Sequence, residues 1–357
     1  MLKDLLTLWS ADESFLQISA RINNSERYRT AVSGLDGSAR VYLMAALAEL
    51  CSRPTLVITA DQPRAEKVYS DLQAFMPGQV NLLPSRELFI NSEVLSRSED
   101  NRQERLKFFE WLASGNGGIY VAQSAAVLTR ALPPELWQTR IIELETGQQI
   151  DRQELIAMLI ERGYERTALA ETGGQLSARG DIIDIYPPGL KNPFRIELFD
   201  DLIESIRLYN PETQRSTEKL DMARILPARE LTLSFADYGR GEKVILRSLE
   251  KALSKLRKRG DHELAARLKQ QVSRHLDRLF QPDGLDILCS YFPFFYGEGS
   301  SILDYLSPAF LVIVEEPALV AEKSAALRQE FGDFRSTAIM EGDLLAPESD
   351  QLWHEAD

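Results

Sequence analysis

The sequence predicts an α/β protein in which a parallel-sheet lobe is interrupted by a smaller α+β domain. Three observations predict it. Short apolar runs alternate with helix-patterned segments up to about residue 135, the texture turns strand-rich near residue 139, and one isolated apolar run returns at 309–316. Alternating strands and helices imply right-handed crossovers and a parallel sheet covered on both faces. With 357 residues, 44% of them hydrophobic, the chain is long enough for roughly two or three cores.

In the first segment, "YRTAVSG" (28–34), "PTLVITA" (54–60), "VNLLPS" (80–85) and "GGIYVAQ" (117–123) read as buried strands. Between them, 38–51, 62–76 and 102–114 carry apolar residues at three- and four-residue spacing and read as helices. From about 139, "RIIELETGQ" reads as a strand and "DRQELIAMLIERGY" as a helix. "DIIDIYP" (181–187), "FRIELFD" (194–200) and "LIESIRLYN" (202–210) follow as strands joined by the turn-forming "PPGLKNP" and "NPETQRS". This is the pattern of an antiparallel meander, ending near "ARILPARE" (223–230). Residues 241–280 predict a charged helical region broken near Gly260. "AFLVIVEE" (309–316) predicts a buried strand ending in two acids, and 317–330 a helix. The expected division is a lobe over 1–138, an inserted domain over 139–226, and a helical region returning to the lobe over 227–357. The acidic tail "GDLLAPESDQLWHEAD" stops without a cap or turn signal, as a cut piece of something longer would.

Lys plus Arg is 41 and Asp plus Glu 54, a net charge of −13. That excludes general coating of nucleic acid, which needs many Lys/Arg–phosphate contacts, while leaving room for a local basic patch. Cys51 and Cys289 have neither metal nor redox spacing, and fit a reducing, cytoplasmic compartment. The N-terminal run carries acids and no cleavage site, so it does not read as a signal peptide. No apolar stretch approaches the ~20 residues of a membrane span. His262, His275 and His354 form no ligand spacing, and no Ser/His/Asp or Cys/His set presents itself. No catalytic residue, metal or cofactor is therefore expected.

"SGLDGSARVYLMAAL" (33–47) has the outline of a phosphate-binding loop of a P-loop, RecA-like lobe, G-x-x-x-x-G-K-[ST]. Gly34 holds the first glycine position of such a loop, Gly37 lies within it, and Ser38 stands at the helix start. Ala39, however, places a methyl where backbone must approach phosphate. Arg40 offers a planar fork in place of a compact ammonium. Val41 lacks the hydroxyl that ligates Mg²⁺. Together these changes predict no productive Mg–nucleotide binding. The alternative is an ordinary strand–helix turn capped by Ser38. Glu315 and Glu316 resemble the acids that end a Walker B strand, but a solvent-facing strand end also explains them, and the loop supplies nothing for a metal to bridge.

The order of parts resembles the N-terminal region of the bacterial excision-repair protein UvrB. It is still more similar to the UvrB-like module that begins the bacterial transcription-repair coupling factors. The most specific stretch is "SARGDIIDIYPPGLKNPFRIELFDDLIESIRLYNPETQRS" (177–216), supported by "ETGGQLSARG", "ILPARE" and the altered loop. The resemblance implies a UvrB-like arrangement of domains 1a, 2 and 1b. It implies recruitment of UvrA by a non-catalytic module and, in the full-length protein, RNA polymerase and DNA as further partners. It also implies masking of the UvrA surface in that longer protein. The alternative is a UvrB-type DNA repair helicase subunit with residual ATP binding. Against it stand the broken loop and "INSEVLSRSEDNRQERL" (90–106), which lacks the aromatics of a damage-probing hairpin.

In strand 194–200, Phe194, Ile196 and Leu198 alternate with Arg195, Glu197 and Phe199. An outward Phe beside Arg has the composition of an interface anchor. The resemblance assigns UvrA contacts to the matching Arg179, Arg195 and Phe199, with Arg207 as a further candidate. Otherwise Phe199 is covered by a loop and the arginines pair with Asp200, Asp201 or Glu204. Residues 240–278 hold twelve Lys/Arg against five acids, a local +7. They read either as a solvated helical hairpin or as a contact for a phosphate-rich partner. "YFPFFYG" (291–297) reads as core packing.

Overall fold

The computed structural model describes residues 7–24, 29–85, 98–115, 117–281, 284–297 and 299–346. The lobe is built on β1 (Thr55–Thr59), β2 (Val80–Leu83) and β3 (Ile119–Gln123), with the helices Ser38–Cys51, Gln62–Phe75 and Ser98–Ser114. The Gln62–Phe75 helix starts where it does because Asp61 accepts from the Arg64 amide and a proline occupies its first turn. β4 (Arg130–Ala131) leads to β5 (Ile142–Glu145) and the Arg152–Glu161 helix, capped by Asp151. The inserted sheet follows as β6 (Glu165–Arg166), β7 (Gln175–Arg179), β8 (Ile182–Tyr186), β9 (Phe194–Phe199), β10 (Leu202–Tyr209) and β11 (Ser216–Leu220). After β12 (Met222–Ile225) come the helices Phe235–Arg259, His262–Arg278 and Gly284–Tyr296. Then come β13 (Ser300–Ser301), β14 (Leu311–Val314) and the Pro317–Met340 helix.

The lobe sheet has the order β14-β1-β3-β2, every pair parallel. β1 shows why both faces are covered. Leu56 and Ile58 enter one core with Phe108, Phe109 and Trp137, while Val57 enters the other with Ala45, Ala46 and Leu47. Burying each such aliphatic side chain contributes about 1.5–3 kcal/mol. The first core continues into the helices beyond residue 234, including Tyr291 and Phe292, so the aromatic cluster is core packing. Gly260, at φ +87°, ends the Phe235–Arg259 helix in the left-handed conformation that glycine adopts without penalty. The inserted sheet, β11-β10-β9-β8-β7-β6, is antiparallel except for the β6–β7 pair. Its Ile183, Ile185, Ile196 and Leu198 pack on Leu155 and Leu159 of the Arg152–Glu161 helix. A buried ion pair, Arg105 Nε to Glu230 Oε2 at 2.8 Å, ties the lobe to the segment after β12.

Several expectations are corrected. The strand expected over 28–34 is absent across the described residues 29–33, which are exposed and make no ladder. Val32, the one large aliphatic there, is 49% exposed, so pairing this segment would bury little. The strand expected over 309–316 is not fully buried. β14 is an edge strand with Val312 and Val314 exposed, because only β1 pairs with it. β7 and β11 were not foreseen, since "QLSAR" and "STEKL" are short and polar. The helix expected over 317–330 runs to Met340. Residues 90–97 of the segment compared with an aromatic hairpin, and the tail from 347, lie outside the described residues.

Candidate functional site

The inserted sheet packs one face on its core, while the other combines exposed side chains with the buried Ser177, Asp184 and Ser205, and the pairing registers fix which side chains share this outer face. Ser177, Asp184, Arg195 and Arg207 stand opposite one another across β7, β8, β9 and β10. One step along lie Arg179, Ile182, Glu197 and Ser205, and at the next Phe199 opposes Leu202. All four residues expected at the partner site therefore lie on one face. Neither Asp200 nor Asp201 partners the arginines. The acid that organises the face is Asp184.

Asp184 is 0% exposed. It accepts from Arg195 Nε at 2.7 Å and Nη2 at 2.9 Å, and from Arg179 Nη2 at 3.0 Å. The two parallel hydrogen bonds from Arg195 form the bidentate fork that fixes a guanidinium's plane. Arg195 also donates to the Gln214 carbonyl at 3.0 Å and lies over the Tyr209 ring, 4.8 Å from its centroid. The hydrogen bond to Asp184 raises the Arg195 pKa, so its charge is permanent. Its side chain is 11% exposed, which makes it a strut of the face more than a free contact. Arg179 is half exposed, with one edge tied to Asp184. Arg207 Nε lies 3.6 Å from Glu197 Oε2 and 3.3 Å from Ser205 Oγ.

Phe199 is 68% exposed, beside a 39%-exposed Leu202. It ends β9 at a tight reversal in which Asp200 has φ +52°, so the ring sits at a corner that no neighbouring loop covers. Sequence reasoning did not single out Asp184 or Tyr209. A signal for Asp184 existed: an acid in mid-strand between Ile183 and Ile185 has to find a cation when the strand is buried.

The altered loop gives a second cluster. Gly34 and Gly37 adopt φ +84° and +52°, conformations open to glycine. The helix N-cap is Gly37 and no side chain caps it, so Ser38 does not play the capping role considered for it. Ala39 donates its amide to the Asp36 carbonyl at 3.1 Å. Val41 is buried in the lobe core. Arg40 Nη1 donates to Glu316 Oε1 at 2.7 Å and lies 3.4 Å from Glu315 Oε1, while Arg64 Nη1 lies 3.3 Å from Glu316 Oε2. The loop cation and the two acids at the end of β14 thus neutralise one another, with Arg64 an unforeseen fourth member. Burial raises the Glu315 pKa, opposed by Arg40 and Arg64; the hydrogen bond from Arg40 lowers that of Glu316. Among the described residues, no group of three or more His, Cys, Asp or Glu could hold a metal ion. No helix there is long and apolar enough to cross a membrane.

Residues 142–231, which hold β5 through β12 and the outer face just described, match the family model of the UvrB interaction domain. The chain is also 35% identical over 316 residues, 88% of its length, to the transcription-repair-coupling factor of Bacillus subtilis. The chain is a UvrB-like module of the transcription-repair-coupling-factor family. It is 29% identical over 95% of its length to the coupling factor of Staphylococcus aureus strain MRSA252. It is 29% identical over 84% of its length to UvrABC system protein B of Thermosipho africanus. The module spans 26% and 28% of those two coupling factors and 48% of the UvrABC protein.

Proposed function

We propose that this UvrB-like module captures UvrA on the outer face of its inserted sheet and so delivers nucleotide excision repair to stalled transcription, the nucleotide-type lobe acting as a non-catalytic scaffold. One observation carries the reading. Phe199 stands 68% exposed at the corner of a sheet whose neighbouring guanidiniums are held rigid by a buried carboxylate. An exposed aromatic on a pre-ordered charged face loses little entropy on binding, the property of an interface anchor. Arg179 supplies the adjacent accessible cation and Arg195 holds it in place through Asp184; Arg207 extends the face. The Arg40–Glu316–Arg64 cluster supports the scaffold role, because the groups that would meet phosphate and magnesium are engaged with each other.

The test is capture of purified UvrA by the chain, repeated with Arg179→Glu and with Phe199→Ala. Retention by the unaltered chain with at least about tenfold loss in each variant is expected. Undiminished retention in both variants removes the site assignment, and absence of retention by the unaltered chain removes the function.

A further inference from the structure

The helical hairpin formed by Phe235–Arg259 and His262–Arg278 carries cations that the rest of the fold does not use. Where this hairpin meets acids, it pairs with them: Arg240 with Asp237, and Arg267 with Asp343 at 2.7 Å. Among the described residues, Lys243, Arg247, Lys255, Arg257, Lys258, Arg259, Lys269 and Arg274 are exposed and have no such partner. At 100° per residue, Lys243, Arg247, Arg257 and Lys258 fall within one arc of about 100°, which also holds Glu250, while Lys255 and Arg259 lie up to about 100° further round; the buried row is Gly241, Ile245, Leu249 and Leu253. A groove of about 720 Å³ runs between the two helices, with Leu249 and Leu253 as its floor and Arg257, Lys258 and Lys269 at its rim. Glu250 is the acid in its lining.

We infer that this face binds the phosphate backbone of nucleic acid, without reading sequence. Four of the cations, Lys243, Arg247, Arg257 and Lys258, run along one side of the first helix. Lys243 to Lys258 spans about 22 Å at 1.5 Å per residue, the length over which a duplex presents about 13 phosphates on its two strands. An acidic amphipathic helix would instead need exposed apolar anchors in the groove. There the floor residues Leu249 and Leu253 are themselves buried, and Leu246 is the one large apolar side chain open to solvent. Charge, not apolar area, is what the face offers. A chain of net charge −13 repels a polyanion elsewhere, so this face sets the orientation of approach.

The experiment is fluorescence anisotropy of a labelled duplex of about 20 base pairs titrated with the full chain between about 50 and 200 mM salt. Occupancy of four or five phosphates predicts that log Kobs falls with log salt at a slope of about −4. Arg257→Glu with Lys258→Glu and Lys269→Glu should weaken binding at least about tenfold at the lowest salt and cut the slope by about 3. All three side chains are exposed, and a circular-dichroism melt confirms that the variant folds. Arg179→Glu, on the sheet face, should leave duplex binding unchanged, which separates this site from the proposed UvrA surface. Three results would each overturn the assignment: no anisotropy change at about 50 mM salt, binding indifferent to the triple reversal, or displacement of the duplex by an equimolar acidic amphipathic peptide.

Discussion

Asp184→Ala tests whether the outer face of the inserted sheet is held by one buried carboxylate. The side chain is 0% exposed and accepts three hydrogen bonds from guanidinium groups, at 2.7, 2.9 and 3.0 Å. Charge-assisted bonds are worth about 1.5–3 kcal/mol each, but simple addition overstates the loss. Arg179 is half exposed and turns to water when released. Arg195 keeps the Gln214 carbonyl and the Tyr209 ring. What remains is one mostly buried guanidinium without its counter-charge, a cost of about 3–5 kcal/mol. Because the lobe has its own cores, the effect should be local. Hydrogen exchange of the β8 and β9 amides should accelerate at least about a hundredfold, while β1 and β3 keep their protection. The double variant with Arg195→Met should be more stable than the two single losses predict when summed, by at least about 1 kcal/mol. Exchange at β8 and β9 accelerated by less than about tenfold, or strict additivity in that cycle, would refute the idea of a single organising carboxylate.

Phe199→Ala should leave stability within about 0.5 kcal/mol of the unaltered chain in urea titration, since an exposed corner aromatic holds nothing together; a larger loss would mean that the ring is structural. A Mg–ATP analogue should produce no saturable thermal shift, because Arg40 and Arg64 already hold Glu315 and Glu316; a magnesium-dependent shift at micromolar analogue would contradict the scaffold role. Burial, then nearby Arg278, lowers the His275 pKa, with Asp343 opposing and Arg274 adding, while its Nδ1 lies 3.0 Å from the Tyr291 hydroxyl. The unfolded imidazole takes its proton near pH 6.5 and the folded one only below that. Stability contributed by neutral His275 is therefore full above about pH 6.5 and lost as pH falls through the folded value. His275→Asn, which keeps a polar atom near the Nδ1 position, should flatten the fall in urea midpoint between about pH 7 and 5; an unchanged slope would assign the acid sensitivity to other groups.

Sequence periodicity alone determined most of the elements. β1, β3, β8, β9, β10 and the helices flanking Gly260 lie within or close to their expected bounds, because their apolar spacing or turn chemistry is local and strong. The outward direction of Arg195 and Phe199 was legible for the same reason: in a strand, alternation assigns faces without knowledge of neighbours. The stretch at 28–34 was misread because a strand exists only with a partner ladder, and one aliphatic residue offers too little burial to recruit it. Partnership was what tertiary structure decided. Arg195 reads from sequence as either a partner contact or a mate of Asp200, Asp201 or Glu204, yet register across β8 places the mid-strand Asp184 opposite it and turns it into a strut. Arg40 and Glu316 lie 276 residues apart. Only the parallel pairing of β14 with β1 brings the end of one element to the start of the other, because the ranges of hydrogen bonds and ion pairs are set by space and not by the chain.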